Sequence, residues 1–214
     1  MHQILKVCFF VGLLFPYSPV LAQGTERPII VLDPGHGGRD PGAIGINGIR
    51  EKDIALAVGK EVVRLNRELF NDSLNIYMTR YSDTLISLGH RTALAIALRA
   101  DIFVSIHFNQ AERREAQGIE VFVYQTNKIG SMALQRKSKN LAETILMEFH
   151  NSLGFKIRGV KQADFQVLRD LRTTCPAMLL ELGFLSNTEE AAHSFRSASI
   201  TGYAMVILQT LKKE

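Results

Sequence analysis

Four residues with chemically active side chains stand beside apolar segments of this sequence. His36 lies in a glycine-rich turn directly after the apolar run 29–32. Glu51 precedes an amphipathic segment, and His107 and Glu181 each stand at the end of a later apolar run. Two histidines and one carboxylate form a catalytic zinc site with an open coordination position, and a second carboxylate supplies a base. The sequence therefore indicates a zinc centre with a general base beside it.

Each of these residues also has a structural explanation when it is taken singly. A glutamate at the start of a helix, such as Glu51, is favoured by the helix dipole. A histidine such as His107 is more often a hydrogen-bonded core residue than a ligand. Glu181 follows an apolar run, where an unpaired charge would cost several kcal/mol or raise its pKa. Each explanation is reasonable for one residue, but it is not reasonable that all of them hold at once.

The hydrophobic pattern indicates which elements position these side chains. Short runs rich in β-forming residues predict strands at 29–32, 74–78, 102–106, 119–124 and 178–182. Helical periodicity predicts helices at 54–69, 88–98, 134–153 and 189–211. Strands alternating with long helices predict an α/β fold: a mostly parallel central sheet with helices on both faces. Such sheets bind ligands beyond the carboxyl ends of their strands, where His36, His107 and Glu181 fall.

Length and composition bound the class of protein. The chain has 214 residues, of which 46% are hydrophobic, as expected for a single soluble domain with one core. The formal net charge of +4 is that of an ordinary solvated surface. Alternatively, this positive charge attracts the protein to anionic polymers of the cell envelope. The sequence contains no nucleic-acid-binding motif, so we expect no nucleic-acid partner.

The N-terminal segment has the features of a secretory signal. Basic residues precede an apolar stretch, and a small-residue cleavage pattern ends at Ala22. We therefore predict a signal peptide at 1–22, a short segment at 23–27 and a catalytic domain at 28–214. The alternative is an uncleaved membrane anchor, although the apolar stretch is short for a span of about 20 residues. The mature chain is then expected to be exported, to the periplasm or beyond the cell, and to carry no integral membrane segment.

The two cysteines do not predict a disulfide in the mature chain. Cys8 lies in the predicted signal, which leaves Cys175 alone. Cys175 precedes a proline and an apolar run, so a buried structural thiol is the favoured interpretation over a catalytic nucleophile.

Six segments resemble the zinc-dependent N-acetylmuramoyl-L-alanine amidases of bacterial cell walls, of the amidase type 3 family. Each segment is short, but the combination is specific and runs from about residue 29 to the C-terminus. The segments are Asp33-Pro34-Gly35-His36-Gly37-Gly38, Arg50-Glu51-Lys52, Met78-Thr79-Arg80, Ser105-Ile106-His107-Phe108-Asn109, Gly118-Ile119-Glu120-Val121-Phe122 and Leu180-Glu181-Leu182-Gly183-Phe184-Leu185-Ser186-Asn187.

The resemblance implies a substrate, a cofactor and a set of roles. Enzymes of this family cut the amide bond between N-acetylmuramic acid and the first L-alanine of the stem peptide, so peptidoglycan is the expected partner. His36, Glu51 and His107 match the ligands of one zinc ion, and Glu181 matches the catalytic glutamate. Glu181 is then expected to act as general base and to protonate the departing amine.

Three further residues are candidates for supporting roles. Asp33 is expected either to orient a ligating histidine or to form the turn before Pro34. Asn109 is a candidate for substrate binding. Arg80 either pairs with a carboxylate of the stem peptide or bridges parts of the fold. The remaining histidines of the mature chain stand in helical patterns and are interpreted as surface residues: His90, His150 and His193.

The chain departs from some family members in one respect. Those members carry a long helical insertion that plugs the zinc site until an activator displaces it. Here Tyr124 is followed almost directly by a predicted helix that starts near Met132. We therefore expect a constitutively open site, or regulation by an external activator, in a monomeric protein.

Two other functions remain open from the residues. A zinc carboxypeptidase or endopeptidase that trims the stem peptide could use the same metal ligands on a similar fold. A non-catalytic wall-binding or activator protein is a second alternative. Such a protein would be expected to have lost a ligand or Glu181, and the sequence retains all four residues.

Overall fold

The computed structural model describes residues 27–125 and 132–213. Its helices and strands alternate along most of the chain. The strands are β1 (Ile29–Pro34), β2 (Asn75–Met78), β3 (Ile102–Asn109), β4 (Ile119–Val123), β5 (Ile157–Gln162) and β6 (Ala177–Phe184). The helices are α1 (Glu51–Phe70), α2 (Leu88–Leu98), α3 (Met132–Leu153), α4 (Gln166–Asp170), α5 (Thr188–Ser194) and α6 (Ser197–Leu211). The predicted signal segment 1–22 and most of segment 23–27 lie outside the described residues.

The strands form one six-stranded sheet in the order β2-β1-β3-β6-β4-β5. Its pairs are parallel except for β4 with β6, which is antiparallel. The central strands are buried on both faces, which explains why β1, β3 and β6 read as nearly continuous apolar runs. The predicted mostly parallel α/β fold is confirmed, and β1, β3 and β6 point their carboxyl ends to one edge of the sheet.

Helices cover both faces of the sheet. One apolar cluster packs α1, α3 and α6 against one face, and a smaller cluster packs α2 and α4 against the other. In α1 the residues Ile54, Val58 and Val62 are almost fully buried, since their spacing of four places them on one side of the helix. The sequence pattern predicts that Leu69 lies on the same apolar side of α1, but Leu69 is 59% exposed near the helix end. None of the described helices combines the length and apolar character that a membrane span requires.

Three elements differ from the sequence prediction. The predicted helix 189–211 is divided into α5 and α6 at Phe195 and Arg196, and the side chain of Asn187 caps the start of α5. The strand β5 was not predicted, because its sequence is polar and interrupted by Gly159. The short helix α4 was also missed. β5 is the edge strand next to β4, and α4 packs against α2 and β6; neither carries a predicted site residue.

Candidate active site

The three predicted metal ligands converge at the carboxyl ends of β1 and β3. His36 follows β1, Glu51 is the first residue of α1, and His107 lies in β3. Each offers one donor atom, and these atoms all lie within 4.8 Å of one another. His36 has a φ of 56°, a left-handed conformation that is costly for a non-glycine residue and is typical of functional sites. The structure therefore brings together the ligands that the sequence proposed.

Two glycines make room for this cluster. A Cβ at Gly35 would lie 2.3 Å from the Cε1 of His107, so the imidazole ring occupies the space of a side chain. A Cβ at Gly42 would lie 2.4 Å from the Oε2 of Glu51, and Gly42 has a φ of 66°. Since both contacts involve ligand side chains, the glycines allow the backbone to approach the metal ligands closely.

Glu51 is held as a carboxylate by several donors. Its Oε2 accepts a hydrogen bond from the Ala43 amide, and its Oε1 accepts one from the Phe108 amide. Oε1 also lies 2.8 Å from Nδ1 of His107 and 3.1 Å from Nε2 of His36. Burial opposes ionisation, but hydrogen bonds from the two histidines outweigh it and lower the pKa of Glu51 far below its usual range. The site therefore presents a fixed negative charge between two imidazole rings.

The residue that orients His36 is Asp40 rather than Asp33. The Nδ1 of His36 lies 2.8 Å from the Oδ2 of Asp40, whose other oxygen accepts from the Gly42 amide. Burial tends to lower the pKa of His36, but the carboxylates of Glu51 and Asp40 outweigh it and raise that pKa. Asp40 therefore fixes which ring nitrogen of His36 faces the ligand cluster.

Asp33 has a different role, which corrects the sequence-based candidate. Its buried carboxylate bonds to Arg91 at 2.6 Å, to the Thr79 hydroxyl at 2.6 Å and to the Ser105 hydroxyl at 2.8 Å. Arg91 in turn donates to the main-chain oxygen of His36. Asp33 therefore acts on His36 only through Arg91 and the backbone of the turn, because its own oxygens are engaged elsewhere.

Arg80 is also a structural residue, as the second of its two interpretations proposed. Its side chain is buried, and its guanidinium donates to main-chain oxygens of the turn, of α1 and of the segment after β2: Pro34, Gly35, Lys52 and Ser82. Since these bonds occupy the guanidinium inside the fold, Arg80 braces the turn that carries His36. Its predicted contact with a stem-peptide carboxylate is corrected accordingly.

Glu181 stands next to the ligand cluster on the adjoining strand. It is in register with His107 across the β3–β6 pair, so both side chains point to the same face of the sheet. Its Oε2 is buried and is without a hydrogen-bond partner within the described residues. Burial and the negative charges of Glu51 and Glu120 raise the pKa of Glu181 to about 9. A buried carboxyl in this state is a candidate proton carrier.

This arrangement fits a bound metal ion. Two imidazoles and one carboxylate are a common donor set for catalytic zinc, with a coordination position left open. The Oε2 of Glu181, which has no hydrogen-bond partner among the described residues, and the charge of Glu51 both favour a cation or a polarised ligand nearby. The side chains of His36 and His107 are 25% and 18% exposed, so the cluster is reachable from solvent.

A cleft leads to the cluster. Its volume is about 750 Å³, and His36, His107 and Glu181 lie on its wall. Apolar side chains such as Leu85, Leu88 and Phe165 also line it, and all three are exposed. His90 also lines the cleft, whereas His150 and His193 are exposed elsewhere. The cleft combines an apolar wall with a few convergent polar groups, as binding sites for extended molecules commonly do.

Asn109 remains a candidate for substrate binding. It lies at the end of β3 and donates a 2.8 Å hydrogen bond to Glu120, while its own oxygen accepts from the Gln110 amide. These contacts fix the side chain, which is partly exposed. Nothing in its contacts assigns it a ligand, and the role stays a prediction.

Cys175 has no part in the site. It is buried, with 3% of its surface exposed, and burial raises the pKa of its thiol to about 12. A thiol in this state is a poor nucleophile. The expected buried structural thiol is confirmed.

Replacing Asp40 with asparagine is expected to weaken metal binding by about 10- to 100-fold, because His36 loses the carboxylate that orients its ring. Titration of the metal-free variant against a competing chelator measures this change. Asp164→Asn, on an exposed carboxylate paired with Arg169, is the matched control. Equal affinities for the two variants would show that Asp40 has no orienting role.

The raised pKa of Glu181 predicts a pH-dependent cost to folding in metal-free protein. The unfolded carboxyl titrates near 4.5 and the folded one near 9, so the folded state holds the proton more tightly. The free-energy cost to folding is absent at pH values below the pKa of the unfolded carboxyl. It grows as the pH rises toward the pKa of the folded carboxyl. Glu181→Gln removes it, so the variant should be more stable than the parent by up to about 3 kcal/mol at neutral pH.

Urea unfolding of chelator-treated parent and Glu181→Gln across this range measures the difference. The two stability curves should meet at acidic pH and separate as pH increases. Curves that run parallel at all pH values would contradict a raised pKa at Glu181.

The fold and the site agree with one family of proteins. A family model described as N-acetylmuramoyl-L-alanine amidase matches residues 30–212. The chain therefore belongs to the N-acetylmuramoyl-L-alanine amidase family, and the predicted family is confirmed. The match covers nearly all of the described residues, including every residue of the candidate site.

Individual relatives and solved structures support this assignment. YqiI of Bacillus subtilis (strain 168), named an uncharacterized protein, is 35% identical over 193 residues, which cover 89% of this chain and 87% of YqiI. The amidase AmiC of Neisseria meningitidis serogroup B is 32% identical, and the alignment covers 84% of this chain but 51% of AmiC. The chain thus spans about half the length of AmiC.

The catalytic domain of CwlV, an N-acetylmuramoyl-L-alanine amidase from Bacillus (Paenibacillus) polymyxa var. colistinus, superposes with a TM-score of 0.76 at 32% identity. That similarity covers 87% of this chain and 97% of the CwlV domain. An amidase from Clostridium difficile 630 gives a TM-score of 0.77 at 30% identity, covering 87% of this chain and 95% of that one. In both cases the similarity covers nearly all of the solved chain.

Proposed function

We propose that this protein hydrolyses the amide bond between N-acetylmuramic acid and the L-alanine of the stem peptide in peptidoglycan. The observation that carries the proposal is the buried, unpartnered Oε2 of Glu181 beside the cluster of His36, Glu51 and His107. Membership of the amidase family supports the same reaction. A general base next to a metal cluster, on the wall of an open cleft, is the arrangement that hydrolysis of an amide requires.

The residues of the cluster fit one zinc ion. His36 and His107 would ligate it as neutral imidazoles and Glu51 as a carboxylate. When bound, zinc lowers the pKa of a water molecule, polarises the substrate carbonyl and stabilises negative charge on its oxygen.

Glu181 moves the proton in this proposal. Its buried carboxyl holds a proton on its own, and a positive charge between it and Glu51 would lower its pKa so that it acts as a base. Glu181 then takes a proton from the attacking water and passes it to the alanine nitrogen, because an amide must leave as an amine. Asp40 keeps the ring of His36 in the required tautomer.

The proposal extends to where the protein acts. We propose that the segment 1–22 directs export and that the domain 28–214 acts as a monomer in the periplasm or outside the cell. The chain passes from β4 to α3 between Val123 and Met132, which supports a site without a helical plug. Substrate capture then relies on the cleft itself, with any restraint coming from an external activator.

Mass spectrometry of digested peptidoglycan tests the reaction. Incubation of the purified mature chain with peptidoglycan should release intact stem peptides with a free alanine amine. Shortened peptides would assign the protein to the carboxypeptidases or endopeptidases instead. Binding to peptidoglycan without any product, in protein shown to contain zinc, would favour a wall-binding role.

A further inference from the structure

A row of side chains continues past Glu181 on the face of the sheet that carries the site. His107 of β3 is in register with Glu181 of β6, and Glu181 is in register with Glu120 of β4. Residues opposite one another in paired strands point to the same face. Since neighbouring strands lie about 4.8 Å apart, the row leads away from the metal cluster in short steps toward the edge strand β5.

The row ends at two cations on β5. Glu120 is 3% exposed, and its Oε2 accepts from Arg158 at 2.7 Å and from the ammonium group of Lys161. Its Oε1 accepts from Asn109 at 2.8 Å. One carboxylate therefore receives two full positive charges and an amide. The bond to Glu120 uses one of the three N–H donors of the Lys161 ammonium group.

Arg158 and Lys161 differ in how firmly they are held. The guanidinium of Arg158 lies 4.9 Å from the ring centre of Phe184, and it also attracts the carboxylate of Glu190, which accepts from the Gly118 and Phe184 amides. Arg158 is thus fixed between groups of the fold. The side chain of Lys161 is 39% exposed, so part of its ammonium group remains open to solvent.

Two aromatic rings connect Lys161 to the wall of the cleft. Lys161 is in register with Phe122, and its ammonium lies 5.8 Å from the centre of that ring. The ring of Phe122 packs edge-on at 5.2 Å against Phe165, which lines the cleft together with Glu181. A molecule that extends from the cleft beyond Phe165 would therefore meet a positive charge above an aromatic surface.

We propose that Lys161, with Arg158 and Glu120 behind it, is the subsite for a free carboxylate of the stem peptide close to the cleaved amide. This inference rests on the proposed function. The subsite favours a stem peptide whose second residue carries a free α-carboxylate over one in which that carboxylate is amidated. Charge-assisted hydrogen bonds to an ammonium group are stronger than neutral ones, so the free carboxylate should bind more tightly than the amidated group.

Two muramoyl tripeptides that differ only in this group provide the test. One has glutamate and the other isoglutamine as its second residue, and kcat/KM is measured for both. The parent should prefer the free carboxylate by about tenfold or more. Lys161→Met should bring the two kcat/KM values together, whereas Lys161→Arg should keep them apart. Lys60→Met, on the exposed side of α1, is the control for loss of one charge.

The outcomes separate this inference from the function on which it rests. If the parent cleaves neither tripeptide, the proposed amidase function fails. If the parent cleaves both tripeptides equally well, the subsite does not exist although the amidase function stands. The inference is also overturned if Lys161→Met lowers kcat/KM by the same factor on both substrates, since a structural effect alone would do so. Equal losses of preference in Lys161→Met and Lys60→Met would indicate long-range attraction instead of a subsite.

Discussion

Glu181→Gln is expected to reduce turnover of peptidoglycan by about a thousandfold while the protein keeps its metal ion. Glutamine has nearly the shape of glutamate but cannot accept the proton of the attacking water, and general acid–base catalysis contributes about 10²- to 10⁴-fold. Glu181 is separate from the three residues that form the ligand cluster, so metal binding should persist. Product release by mass spectrometry and metal content by elemental analysis measure the two quantities on the same sample.

The control for this variant is Glu143→Gln, on the exposed side of α3. It should have the activity and metal content of the parent. If Glu181→Gln keeps more than about a tenth of the parent's turnover, Glu181 is not the general base. Loss of both metal and turnover would instead make Glu181 part of the metal site.

His36→Ala and His107→Ala are each expected to lose the metal ion and nearly all turnover. Each variant removes one of the three donor side chains. The two that remain cannot hold a metal ion with the open coordination position that the reaction uses. The loss of turnover should reach several orders of magnitude, because the chain then lacks the group that activates water. Elemental analysis after dialysis, combined with a turnover assay, measures both effects.

His150→Ala is the matched control, since His150 is exposed near the end of α3. This variant should retain metal and turnover. A His107→Ala protein that remains folded, contains no metal and still cleaves the substrate at the parent's rate would exclude a metal-dependent mechanism. Circular dichroism establishes whether each variant is folded.

The sequence was sufficient to bring the candidate metal ligands together because their positions follow from the sheet. Apolar runs that are buried on both faces identify β1, β3 and β6, and parallel strands bring their carboxyl ends to one edge. His36 and His107 therefore had to lie near one another. Glu51 could be added because its spacing from Ile54 directs it along the buried side of α1, where it is 4% exposed.

The residues that support the ligands could not be assigned in the same way. Asp33 and Asp40 flank His36 at similar distances along the chain, and the choice between them depends on how the glycine-rich turn folds back. The left-handed conformation of His36 turns its ring toward Asp40, while Asp33 is drawn to Arg91 of a distant helix. Arg80 likewise reads as a free cation in the sequence, although the main chain of the turn occupies its donors.

The edge of the sheet was the least predictable part of the fold. The strand β5 is only partly buried and contains Gly159 and Lys161, so it lacks the apolar alternation that marks a strand. The antiparallel direction of β4 against β6 also depends on pairing between distant segments. Since Arg158 and Lys161 belong to β5, the pattern of the sequence alone did not place them beside Glu120.

Reconstitution with zinc tests the central claim most directly. Metal-free mature protein is titrated with zinc, and turnover of a defined muramoyl tripeptide is followed through the free alanine amine that appears. Turnover should be absent at the start and should rise linearly until one zinc ion per protein is bound, as a single cluster of His36, Glu51 and His107 requires. Full turnover of protein shown to be free of metal, or a linear rise that continues to two ions, would contradict the account.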